Sequence, residues 1–172
     1  MNHRYRSESI RLPWWDYAGA GWYFVTICTQ NRQCTLGEVV EGSVVLTPAG
    51  QVVKEEWQRT PTVRPNVGLD EFVVMPNHIH GIVALTGDSG KTSHRDVSTK
   101  NRLRPHSLGA MIGQFKSVCT KRIRGAGFSQ FSWQARFYEH IIRDERSLES
   151  IRQYIEDNPA KWEFDEDNPK NF

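Results

Sequence analysis

His78 and His80 flank a single isoleucine within VVMPNHIHGIV, residues 73–83. Side chains of an extended strand alternate between its faces, so these two imidazoles point the same way with Cα atoms about 6.6 Å apart. At that distance both can ligate one metal ion, while Ile79, Val83 and Leu85 turn to the other face and can pack beneath helices. Three known uses of paired histidines are excluded by residue type. A zincin site needs H-E-x-x-H on a helix, which is absent. A nucleotide-hydrolysing histidine triad needs a third histidine where Ile82 stands, and a cupin-type site needs a glutamate where Val83, Ala84 and Leu85 stand. What remains is either a two-histidine metal site completed from elsewhere or two satisfied core histidines.

The stretch SLESIRQYIEDNP, residues 147–159, offers further donors. Leu148, Ile151 and Ile155 recur at helical spacing and predict a buried stripe. Tyr154 and Asn158 are four residues apart, so they stack one turn apart at its flank. Taken singly, a tyrosine beside an apolar stripe is a core residue and an asparagine before proline is a helix stop. Taken with the histidine strand, they present a phenol and an amide oxygen from one helix to a metal-binding sheet face.

Several elements must position these groups. The run WYFVTICT (22–29), aromatic and β-branched on both faces, predicts a central strand. CTLGEVVEGSVVLT (34–47) predicts a hairpin turning at Glu41-Gly42, and Thr47-Pro48 opens a helix expected to reach about Arg59. EFVVM (71–75) and HIHGIVAL (78–85) read as antiparallel strands joined at Met75-Pro76-Asn77. Ser107 caps a periodic helix through Leu108, Met111, Ile112, Phe115, Val118, Cys119 and Ile123, closed by Gly125 and Gly127, with Lys116, Lys121 and Arg122 opposite. FYEHIIR (137–143) predicts a strand and Glu145–Asn158 the last helix. Without the hairpin and the last helix the order is β-α-β-β-α-β, an α+β chain of the ferredoxin-like split pattern. One domain is expected over 1–172, with a basic N-terminal arm (1–16), a mobile basic loop (86–106) and a solvated acidic tail (163–172).

Composition narrows the function classes. Apolar residues make up 38% and charged residues 24%, as in soluble globular proteins, and no stretch approaches the ~20 apolar residues that span a bilayer. The N-terminal residues lack the apolar segment of a signal peptide, and three cysteines without a CxxC suit a reducing cytosol. The net charge of +2 conceals four acids in the last ten residues; without these ten, 21 basic residues face 16 acidic ones. A basic body suits a polyanionic partner. TGDSGKT (86–92) only mimics a phosphate loop, since Leu85 occupies the place of its first glycine.

The succession YFVTICTQNR, MPNHIHGIV, the FKS within Gln114–Ser117, WQARFYEHIIRDE and YIEDNPAKW resembles the landmarks of REP-associated tyrosine transposases, single-tyrosine HUH endonucleases, over roughly residues 4–162. The resemblance implies Tyr154 as nucleophile, His78 and His80 as the HUH pair, Asn158 as third metal ligand and Mg²⁺ or Mn²⁺ as the ion. It implies a C-terminal helix carrying the tyrosine. It further implies nicking and rejoining of single-stranded DNA at hairpin-forming palindromic repeats through a 5′-phosphotyrosine, in a cytoplasmic protein. Arg4, Arg6, Arg11 and Trp14 in the arm, and Lys116, Lys121 and Arg122 on the helix, are the expected DNA contacts. The short segment between His140 and Tyr154 favours a monomer. The competing readings are a domesticated hairpin-binding protein without catalysis and a metal hydrolase of small phosphoesters.

Overall fold

β1 (Gly21–Cys28) is buried at four of its eight residues, where strands flank it on both sides. The structure, a computed structural model, describes residues 20–87 and 105–171. Four strands form one sheet in the order β4-β5-β1-β6, in which every neighbouring pair is antiparallel. The others are β4 (Val67–Val74), β5 (His78–Leu85) and β6 (Tyr138–Ile142). β2 (Gly37–Val40) and β3 (Ser43–Leu46) form a separate hairpin. Glu41 and Gly42, both at positive φ, make its turn.

Helices cover both faces of the sheet. Thr47 accepts a hydrogen bond from the Gly50 amide, and Pro48 opens α1 (Pro48–Val63). α1 continues four residues beyond the expected Arg59 and carries Pro61 in its last turns, where the Thr60 hydroxyl donates to the Glu56 carbonyl. Ser107 caps α2 (Leu108–Gly125) in the same manner as Thr47. Trp57 of α1 and Phe115 of α2 meet over Ile79, Val83 and Leu85, and this is the larger core. Across the sheet α3 (Glu145–Asp157) lays Leu148 and Ile155 against Ile82 and Ile142. The opposite orientations of Ile79 and Ile82 follow from strand alternation, so the histidines share the α3 side.

Two further expectations change. β4 begins four residues before the expected Glu71, because its register shifts between Leu69 and Phe72 and breaks the alternation across Asp70-Glu71. The acidic tail is not solvated free chain. It forms short 3-10 turns at Trp162–Phe164 and Pro169–Asn171 and packs back on the body. The arm bearing Arg4, Arg6, Arg11 and Trp14, and most of the loop 86–106, lie outside the described residues.

Candidate metal and nucleophile site

Register sets the site. Thr26 lies opposite His80 and Cys28 opposite His78, and the two imidazole centroids are 4.3 Å apart. Each ring is held from behind. Asn77 donates its amide to the carbonyls of Arg32 (3.0 Å) and Asp167 (2.7 Å), which orients its Oδ1 as acceptor for His78 Nδ1 at 2.8 Å. The proton of His78 therefore sits on Nδ1, and Nε2 carries the free lone pair. His80 Nδ1 lies 2.9 Å from the Thr26 hydroxyl. Its Nε2 lies 3.4 Å from the Tyr154 hydroxyl.

Burial keeps both imidazoles neutral, taking His80 down to about 3 and His78 well below its ordinary value, where the neighbouring His80 and Arg32 add to the effect. Cys28 faces the same side, but burial pushes its thiol up to about 12, so it remains protonated. Burial, followed by the nearby charges of Asp165, Asp167 and Glu166, raises the Tyr154 phenol to about 12, while a hydrogen bond with the Asn158 side chain pulls the other way.

A metal ion fits these donors. His78 Nε2 and Asn158 Oδ1 are buried yet have no hydrogen-bond partner among the described residues, the mark of acceptors awaiting a cation. Asp165 brings a carboxylate oxygen into the cluster, and the ligand atoms of His78, His80 and Asp165 all lie within 4.8 Å of one another. Two imidazoles and a carboxylate, with the Asn158 amide oxygen beside them, are a donor set that could hold a divalent ion.

The docked tail explains how Asp165 arrives. Asn31 and Arg32, both at φ 53°, form a left-handed turn after β1. That strained conformation turns the Arg32 guanidinium to Asp167 (3.0 Å) and to the Glu166 carbonyl (2.8 Å). Trp162 lies 6.0 Å from the His78 ring. Asp165 is 85 residues from His80, and nothing in its local pattern marks it as a ligand. Asn77 and Thr26 were equally invisible as ring supports, since their roles follow from cross-strand pairing.

The other expected residues fall elsewhere. Lys116 donates to the carbonyls of Gln134 (2.8 Å) and Arg136 (2.9 Å), and burial lowers it to about 8. Arg122 pairs with Glu55 (2.8 Å) and Glu56 (2.6 Å). Lys121 is exposed. A cavity of about 240 Å³ beside α1, lined in part by Thr35, Phe128 and Phe131, contains none of the site's side chains.

An antiparallel sheet between helices, with this site on one face, defines a protein of transposase fold. The solved structure of a REP-associated tyrosine transposase bound to a REP hairpin superposes with a TM-score of 0.62 at 22% identity, covering 90% of this chain and 74% of that one. No family model matches. A Haemophilus influenzae protein, known only as uncharacterized, is 36% identical over 171 residues, 96% of this chain and 93% of its own. The REP-associated tyrosine transposase of Escherichia coli is 27% identical over 145 residues, 84% of this chain and 70% of its own. Homologues of this chain thus include proteins named as REP-associated tyrosine transposases.

Proposed function

We propose that this chain is a divalent-metal-dependent DNA endonuclease and transposase that nicks and rejoins single strands at hairpin-forming repeats, through a 5′-phosphotyrosine on Tyr154. The observation that carries the reading is the Tyr154 hydroxyl 3.4 Å from His80 Nε2, on a face where His78 Nε2 and Asn158 Oδ1 are buried and unpartnered among the described residues. The strand order supports a ferredoxin-like split β-α-β-β-α-β chain with a hairpin and a tyrosine helix added. His78, His80, Asn158 and Asp165 would hold the cation, and Asp165 favours Mg²⁺ or Mn²⁺ over zinc. When bound, such an ion supplies Lewis-acid stabilisation of the charge that develops on the phosphoryl oxygens.

The chain's own residues do the rest. The Tyr154 oxygen forms the bond to phosphorus as the bond to the 3′ oxygen breaks. The phenolic proton is lost to solvent, and the leaving 3′ oxygen takes one proton from solvent, so that strand ends in a 3′-OH. The phosphodiester is exchanged rather than hydrolysed, so a later 3′-OH can reverse the step and join strands. α3 holds the phenol edge-on to Phe24 at 6.0 Å, which limits its swing. Tyr154 meets the His80 of its own chain, which favours a monomer. One domain would span 1–172. Among the described residues no helix is long and apolar enough to cross a membrane, and a cytoplasmic site of action suits the substrate. DNA contacts are assigned to Lys121 and to the arm residues Arg4, Arg6, Arg11 and Trp14. Lys116 and Arg122 would act mainly by bracing the fold.

The deciding experiment incubates the protein with oligonucleotides from the palindromic repeats flanking its gene, in Mn²⁺. An SDS-resistant protein–DNA adduct is expected from wild type and none from Tyr154→Phe. Equal adduct from both would remove Tyr154 as the nucleophile. Hairpin binding without adduct, unaffected by alanine at His78 and His80, would identify a non-catalytic binding protein instead.

A further inference from the structure

The sheet face that carries the histidines is only partly roofed. α3 seals Ile82 and Ile142 with Leu148 and Ile155 but leaves the start of β6 uncovered. Register places Tyr138 opposite Thr26 and His140 opposite Phe24, so both lie on the histidine face. Tyr138 is 45% exposed and belongs to neither buried core. Its ring meets Phe24 at 6.4 Å and 70°. Phe24 in turn stacks on His80 at 5.3 Å and 30°, and meets Tyr154 at 6.0 Å and 83°. A continuous row of rings thus runs from the open edge strand to the phenol.

The ring is presented from a braced segment. Lys116 grips the carbonyls of Gln134 and Arg136, and the Gln134 amide donates to the Cys28 carbonyl at 2.9 Å. An exposed, pre-positioned aromatic beside a phosphodiester site matches one ligand chemistry well, the flat face of an unpaired nucleobase.

We propose that Tyr138, backed by Phe24, is the stacking platform for an unpaired base next to the scissile phosphate, and so sets which phosphodiester meets Tyr154. This rests on the strand-cleaving reading of the site. The test places a fluorescent purine analogue at each single-stranded position of the repeat hairpin and titrates in Tyr154→Phe protein, which binds without reacting. One position should be quenched, the quench should vanish on adding Tyr138→Ala, and it should survive Tyr138→Trp. With Tyr154 intact, Tyr138→Ala should slow adduct formation about tenfold. An abasic site at the quenched position should slow wild type equally and the Tyr138→Ala variant no further. Quenching indifferent to Tyr138→Ala, or losses that multiply, would overturn the platform. Wild type that quenches but forms no adduct would sink the cleavage reading and leave the platform standing. Tyr138 is exposed, so unchanged thermal melting is expected for both variants.

Discussion

His80 is constrained on three sides at once, by the Thr26 hydroxyl at Nδ1, the Phe24 ring across its face and the Tyr154 hydroxyl at Nε2. Partners behind a ligating imidazole decide which nitrogen faces the metal. Replacing Thr26 with valine keeps the shape and removes the oxygen. Calorimetric titration of Mn²⁺ should then show an affinity about 10- to 100-fold weaker, with the melting temperature of metal-free protein little changed. Asp165→Asn should weaken Mn²⁺ in the same titration, because a neutral amide replaces the carboxylate that joins the histidine pair in the donor cluster. Unaltered affinity in that variant would mean that Asp165 only neighbours the ion.

At the scale of elements, the placement of α3 decides whether Tyr154 reaches the histidines. Arg152 clamps α3 to β4 through two bonds of 2.8 Å to the carboxylate of Asp70. The β4 irregularity that hid this strand's start from its sequence pattern falls at Asp70. Arg152 beside it is the main cause that holds the Asp70 carboxyl below the usual carboxylate range. A carboxyl depressed by folding stabilises the native state above its unfolded pKa of about 4 and loses that contribution as pH falls through the folded value. Arg152→Gln should therefore lower stability in urea unfolding at pH 7, modestly for a largely solvent-exposed pair. The gap from wild type should close as pH drops below about 4. Adduct formation should fall further than stability does, since the loosened helix carries Tyr154, the proposed nucleophile.

For the whole molecule, the histidine strand works as a partition between two cores. His78, His80 and Ile82 face α3, while Ile79, Gly81 and Val83 face α1 and α2. Gly81 is small because the Trp57 indole lies on it. A Cβ there would stand 2.5 Å from Trp57 Cζ2 and 3.1 Å from Cε2, and Trp57 is fully buried. Gly81→Ala should thus destabilise the fold by about 1–3 kcal/mol by thermal denaturation. It should also weaken Mn²⁺ binding, because relief of the clash must move β5. Equal stability of the variant would show that the indole has room to shift.

Much of this protein was legible in order along the chain. The β5 bounds, the caps at Thr47 and Ser107, the turn at Glu41-Gly42 and the spacing of Tyr154 and Asn158 are local properties of backbone geometry and side-chain alternation. The pairing of His78 with His80 belongs to the same class, since period two alone puts them on one face. Tertiary structure decided what lies behind and opposite them. Thr26 reaches His80 through cross-strand register, and the tail folds back so that Asp165 enters the donor cluster. Lys116 and Arg122, basic residues on an outer helix face in sequence, turn out to be engaged by carbonyls and carboxylates of other elements. Local pattern specifies which way a side chain points, whereas its partner is set by long-range packing that no short window of sequence contains.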